Sequence, residues 1–392
     1  KVLFSKHMIA KFWYKNFSFF LYLFLFFSYV YSDVSKEDCE DWIIKMLEGQ
    51  ENSIKIYILE NIKDMNLKKF YPEIKKLSVS AQNDNVRLKS YYVLYKVYND
   101  TSSLKQIINF FLQKPKIDQK ASQIVKAKFY LKNQLRIESA KMLAELGDEK
   151  IVDVLSKVIN DDTEDGSVKD ASYFALALLS QQGKIKPLPE IKEFFYSGLK
   201  DTDAKVRLQA VRYLGELKYQ DSLQPLSLRL KDPNKQVVLE TIYSLGKIGD
   251  ISIFQELIQF KSHPEDSLRV ALAESFGEIA KNILFSTDTY RLTNLFKIKN
   301  VLNEMLNDKN GMVRIAAARS LLVMKDLSGK EILKKGLESN DTDVLIYCIE
   351  TFGQYGSKED IKLLEPFVES QDITLKTAAY LNILKIYYRN VN

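Results

Sequence analysis

Val206-Arg207-Leu208-Gln209-Ala210-Val211-Arg212-Tyr213-Leu214-Gly215-Glu216-Leu217 returns thirty-one residues later as Val237-Val238-Leu239-Glu240-Thr241-Ile242-Tyr243-Ser244-Leu245-Gly246-Lys247-Ile248. A further thirty-one residues reach Leu268-Arg269-Val270-Ala271, which ends in Phe276-Gly277-Glu278-Ile279. The same frame fits at Ile54, Val86, Leu135, Val168, Val313, Val344 and Leu375, giving ten candidate units. Self-similarity at a short fixed period is the signature of a repeat array, in which each unit is one supersecondary element.

With the first apolar residue of each unit as position zero, position +8 is apolar in all ten, from Ile62 and Leu94 to Phe352 and Ile383. Position +11 holds Met65, Val97, Leu146, Leu179, Leu217, Ile248, Ile279, Met324, Tyr355 and Ile386, and +4 is small in most units (Ser139, Ala210, Thr241, Cys348). Steps of 4, 4 and 3 put these side chains on one stripe of a helix. The small residue lets a neighbouring helix approach, and the larger ones fill the seam. Gly215, Gly246, Gly277 and Gly353 follow position +8, where chain reversal is expected to begin. Asp84, Asp201, Asp232, Asp308 and Asp341 precede units, where Asp caps a coming helix. A second amphipathic segment follows each, such as Ile253-Phe254-Gln255-Glu256-Leu257-Ile258. One such helix pair cannot bury its own stripe, whereas a stack of pairs extends one core. The expected fold is therefore all-α, a superhelical solenoid of about ten helix pairs over residues 51–392.

The Val-Arg pairs (Val86-Arg87, Val206-Arg207, Val313-Arg314), the small residue after them and the Leu-Gly and Gly-Asp endings (Leu214-Gly215, Leu146-Gly147-Asp148, Ile248-Gly249-Asp250) resemble HEAT-like repeats, in the short form also found in bilin-lyase-type proteins. The resemblance covers about residues 50–390 and is most specific from 200 onward. A tetratricopeptide array would need 34 residues and a Trp-led signature, and an ankyrin array a TPLH-like turn; neither occurs.

Position +1 is basic in eight units: Lys55, Arg87, Arg136, Lys169, Arg207, Arg269, Arg314 and Lys376. A slot that recurs with the repeat is expected to bond the Asp and carbonyl groups of adjacent turns rather than a ligand. The interruptions carry more about function. Longer spacings place extra residues near 114–133, where Asp118 to Leu131 read as an added helix, near 284–297, with Phe285, Tyr290, Leu292 and Phe296, and in the loop 184–190. Inserts in solenoids map to one face and often mark where partners bind.

Residues 1–32 read as an address. Lys11 and Lys15 precede an apolar run from Phe17 to Val30, and Val30-Tyr31-Ser32 offers a cut before Asp33. That is the grammar of a secretory signal, and left uncut it would serve as an inner-membrane anchor. A periplasmic or cell-envelope location in a bacterium is expected from it. Residues 33–50 read as a lead-in.

The net charge of +6 belongs largely to the four lysines of that segment, and 6 − 4 leaves +2 for the rest. Nucleic acid is not an expected partner of so balanced a chain. Only Cys39 and Cys348 are cysteines, and only His263 is a histidine beyond the first 32 residues, so no zinc site is expected. A Cys39–Cys348 bridge would have to join the two ends of the array and is not expected either. His263 reads as a solvated turn residue, and the acids of Asp161-Asp162 and Glu164-Asp165 as a solvated loop. No nucleophile elbow, phosphate-binding loop, dinucleotide fingerprint or HExxH motif occurs. These readings point to a non-catalytic protein–protein scaffold of the bacterial cell envelope, working through its concave face and inserts, with no cofactor and with membrane contact only through the N-terminal segment. The alternative is a repeat enzyme or accessory factor, lyase-type or acting on nucleic acid, with an unrecognised groove site.

Overall fold

The computed structural model describes residues 34–116 and 122–389. The segment read as an export signal or anchor, and residues 117–121 of the first insert, lie outside the described residues. Among the described residues all regular structure is helical, in ten pairs. They are α1 (Lys36–Glu48) with α2 (Asn52–Met65), α3 (Tyr71–Ser80) with α4 (Asp84–Tyr98), α5 (Ser102–Leu112) with α6 (Gln123–Leu146), α7 (Val152–Ile159) with α8 (Gly166–Gln181), and α9 (Pro189–Gly198) with α10 (Ala204–Leu217). There follow α11 (Leu223–Ser227) with α12 (Lys235–Ile248), α13 (Phe254–Ile258) with α14 (Asp266–Ile283), α15 (Thr289–Met305) with α16 (Gly311–Val323), α17 (Lys330–Gly336) with α18 (Thr342–Tyr355), and α19 (Ile361–Leu364) with α20 (Ile373–Arg389). Even-numbered helices carry the repeat frame and form the inner layer. Odd-numbered ones, several of them short and extended by 3-10 turns, form the outer layer. The segment read as a lead-in thus supplies α1, the outer helix of the first pair.

The predicted stripe is the core. In α12, Val237, Thr241, Leu245 and Ile248 are buried, and the equivalent Leu214, Phe276, Leu321 and Phe352 are fully buried. Each such large aliphatic or aromatic side chain contributes about 2 kcal/mol by leaving water. The glycines after position +8 do something other than turn the chain. Gly215, Gly246 and Gly277 lie within their helices, and a Cβ on each would come within 2.4–2.6 Å of Ser244, Ser275 and Ser320, at position +7 of the next unit. Each serine hydroxyl donates to a carbonyl of the preceding inner helix, Val211 at 3.0 Å, Ile242 at 2.9 Å and Ala273 at 2.8 Å. Glycine on one side and a serine bonded across on the other set the spacing of α10, α12, α14 and α16.

Capping also differs by a residue or two from the sequence expectation. Asp203, Asn234 and Asn310 cap α10, α12 and α16. Asp201, Asp232 and Asp308 stand two residues earlier and accept from the backbone N–H of those caps, at 2.7, 2.9 and 2.8 Å. Two stacked Asx turns hold each outer-to-inner connection. Asp341 does cap α18 as expected.

The array closes on itself. α1 packs along α20, and α20 also meets α2, so the last pair neighbours the first. Trp42 stacks on Tyr380 with ring centroids 5.2 Å apart and donates its indole N–H to the Thr377 hydroxyl at 3.2 Å. The Val34 N–H donates to Glu365 at 3.1 Å, and its carbonyl accepts from Tyr387 at 2.7 Å. Tyr388 donates to the buried Glu40 at 2.8 Å. One apolar cluster joins residues of α1 to α4 with those of α16 to α20. The sequence suggested a curved rod with two distant ends; the structure is a ring with a seam.

Candidate interaction site

Three surfaces come out of this architecture. The first is the recurrent basic slot. Arg207 makes a bidentate pair with Asp232, both bonds 2.8 Å, and donates to the carbonyls of Asp201 and Thr202. Arg269 does the same with Asp308 and the carbonyls of His263 and Pro264. Arg136 holds Glu164 through two 2.7 Å bonds, and Arg314 bonds the carbonyls of Asp308 and Lys309. Burial alone would raise the Asp232 and Asp308 carboxyls, but the guanidinium hydrogen bonds and turn N–H groups outweigh it and hold both below the usual carboxylate range. Arg87 pairs with Asp84 in its own first turn and Lys376 lies over the Trp42 ring at 4.7 Å, whereas at the four positions above the slot is a staple between turns. The acidic loop is part of it: Glu164 is buried against Arg136, and Asp165 caps α8. His263 accepts the Glu265 N–H within its turn.

The second is the concave face. Its side chains satisfy one another. Lys141 pairs with Glu216 at 3.4 Å, Tyr347 donates to Glu274 at 2.6 Å, and Tyr57 donates to Glu350 at 2.8 Å. Each of these bonds joins inner helices two units apart, past an intervening one (α8, α16 or α20). The inner surface therefore curves tightly enough for units two apart to touch. Burial first, and the facing Glu274 and Glu350 after it, push the Tyr347 and Tyr57 hydroxyls well up, so they remain donors. Two spaces on this face are mixed in charge: about 270 Å³ among Glu60, Lys63, Lys89, Tyr92, Glu138 and Lys141, and about 350 Å³ among Tyr243, Lys247, Glu274, Arg319 and Tyr355. A larger cavity of about 750 Å³ lies at the seam among Asp64, Lys68, Gln354, Lys385 and Arg389. Among the described residues no group of His, Cys, Asp or Glu is arranged to hold a metal ion. Cys39 and Cys348 are buried and free, although the ends of the array do meet.

The third is formed by the inserts. Sixteen large apolar side chains are exposed among the described residues, and the two longer inserts carry eight of them. Ile124, Val125, Tyr130 and Leu131 lie on the first turns of α6, which at 24 residues is ten longer than α10 or α12. The added helix read from Asp118 to Leu131 is thus, from Gln123, an extension of an inner helix rather than a separate one. This stretch also carries Lys126, Lys128 and Lys132 and no acid. The second insert exposes Phe285, Tyr290, Leu292 and Phe296. The loop 184–190 lays Ile185 and Leu188 against the core and offers no such surface.

Stacked helix pairs with a continuous core and turn-stapling arginines define an α-solenoid repeat protein. Residues 192–281, from α9 through most of α14, match the family model of HEAT repeats, and the chain is a HEAT-like repeat protein. No curated protein matches it in sequence. Among solved structures it is similar to the CpcE–CpcF complex of phycocyanin lyase from Nostoc sp. PCC7120, at 16% identity over 61% of this chain and 92% of that one, with a TM-score of 0.40. Human deoxyhypusine hydroxylase in complex with glycerol matches at 15% identity over 74% of this chain and 97% of that one, with a TM-score of 0.32. A designed armadillo repeat protein matches at 14% identity, over 49% and 98%, with a TM-score of 0.30.

Proposed function

We propose that the protein is a non-catalytic scaffold of the bacterial cell envelope that holds a protein partner, with the extended N-terminal turns of α6 as the principal contact. The observation that carries this reading is the placement of Ile124, Val125, Tyr130 and Leu131 in solvent on a rigid helix that the array itself does not need. Large apolar side chains held in solvent on a helix suit a partner that buries them. The self-paired concave face argues against the groove as the main contact: a partner there would first have to break the bonds between Lys141 and Glu216 and between Tyr347 and Glu274. The envelope location rests on the sequence of residues 1–32.

The test is a photo-crosslinking residue at Tyr130 in the full chain, compared with one at Lys247 on the concave face, followed by binding of the captured protein to the purified chain. Capture at Tyr130, and binding weakened by Ile124→Ser with Leu131→Ser, are expected. Capture only at Lys247, or no partner at either position, would overturn the reading. Recovery of the chain in the cytoplasm would separately remove the envelope location.

A further inference from the structure

The second insert sits elsewhere and has a different chemistry around it. All inner helices run the same way, so the ring has one edge where they begin and one where they end. α14 is 18 residues long against 14 for α12, and the first five residues of α15 are exposed, so this pair projects beyond the edge where inner helices end. Phe285 is 82% exposed, Phe296 64% and Tyr290 61%, and Leu327, in the next turn along the same edge, is 65% exposed. Of the carboxylates here Asp326 pairs with Lys299 at 2.7 Å, while Asp288 caps α15 and Asp250 accepts the Ser252 N–H, which leaves two acids against four bases. Lys281, Arg291, Lys297 and Lys325 have no carboxylate partner, and Lys325 lies over the Phe285 ring at 5.4 Å. Exposed aromatics ringed by unpaired cations match the boundary of an anionic bilayer, where rings sit at headgroup depth and each base gains from the surface potential.

An independent observation concerns where the described chain enters this edge. Tyr387, in the last turn of α20, holds the Val34 carbonyl, so the chain enters the ring where inner helices end. Ahead of Val34 the sequence carries the apolar run Phe17–Val30 with Lys11 and Lys15 before it. We propose that this edge lies on an anionic phospholipid surface, with Phe285, Tyr290 and Phe296 entering the headgroup layer. The α6 extension, at the opposite edge, then faces away from the bilayer. This inference does not depend on the partner proposed for α6.

The experiment uses the full chain on vesicles of phosphatidylcholine, with or without phosphatidylglycerol, and a nitroxide label at Leu292→Cys or, as the opposite-edge control, at Tyr130→Cys. Cys39 and Cys348 are buried, so labelling goes to the introduced thiol. On anionic vesicles the label at Leu292 should become accessible to oxygen and shielded from an aqueous nickel complex, while the label at Tyr130 stays in water. Replacing the four unpaired bases by Gln should return the Leu292 label to water, at roughly fivefold in edge occupancy per charge removed. A Leu292 label as wet as that at Tyr130, both labels in lipid, or shielding only by an acidic peptide added without vesicles would each overturn the proposal. A wet Leu292 label leaves crosslinking at Tyr130 untouched, so the two readings can fail separately.

Discussion

Gly246→Ala tests whether inner-helix spacing is set by the glycine–serine contact. A Cβ at Gly246 would stand 2.6 Å from the Ser275 Cβ and 2.7 Å from its Cα and Oγ, where ordinary carbon contacts lie at about 3.5–4.0 Å. Because backbone is among the clashing atoms, no rotamer change relieves it, and α12 and α14 must part by about 1 Å. Overpacking of that kind costs about 1–3 kcal/mol. The 2.9 Å bond from Ser275 to the Ile242 carbonyl stretches as well, at about 1 kcal/mol. Against these stands the helix preference of Ala over Gly, about 1 kcal/mol in favour of the variant. The net expectation is a loss of about 2 kcal/mol. Gly166→Ala is the control, since nothing lies within 4 Å of a Cβ there. Urea unfolding followed by circular dichroism measures the difference. Hydrogen exchange in α12 and α14 locates it, because neighbouring units of an array can open separately. If Gly246→Ala proves as stable as Gly166→Ala, helix preference dominates and the close-contact argument is wrong.

Three further outcomes follow from the same structure. Trp42→Ala removes the stack on Tyr380 and the bond to Thr377, costs about 3 kcal/mol at the seam, and should raise hydrogen exchange in α1 and α20 while α12 stays protected. Burial, with Asp165 nearby, pushes the Asp170 carboxyl up to about 6. Its stabilising share is therefore full below about pH 4 and lost as pH rises through about 6. Asp170→Asn should accordingly raise stability at pH 7.5, on the order of 2 kcal/mol, and leave it unchanged at pH 4; an equal gain at both pH values would refute the assignment. Burial raises the Cys348 thiol to about 12 and also pushes the Cys39 thiol well up, so neither should react with a thiol reagent at pH 8 until urea is added.

Much of this molecule was legible because each unit repeats the same local instructions. Position +8 could be read as core ten times over, and the arginine slot as structural, since one geometry had to serve Arg136, Arg207 and Arg269 alike. The glycines were misread because a glycine near a helix end and a glycine under a neighbouring serine look identical in one dimension; the serine at +7 of the following unit was the available clue. Closure of the ring was not legible at all. It depends on small rotations summed over ten interfaces, and no residue pair announces that sum before Trp42 is seen on Tyr380. The same tight curvature, which lets Lys141 reach Glu216, accounts for the filled concave face. The inserts show in the sequence as interruptions of a period, but their opposite edges follow only from the direction of the inner helices.

The seam has a consequence for how this protein can vary. An open solenoid gains or loses a unit at either end with little penalty, and such families drift in length. In a closed circle of ten, one unit more or fewer leaves a gap or an overlap of about a tenth of a turn, and the stack between Trp42 and Tyr380 no longer meets. Length is therefore a fixed property of this architecture, and new surface can be added only where it leaves the count unchanged, by lengthening helices outward from an edge. The extensions of α6 and of the α14–α15 pair are additions of that kind.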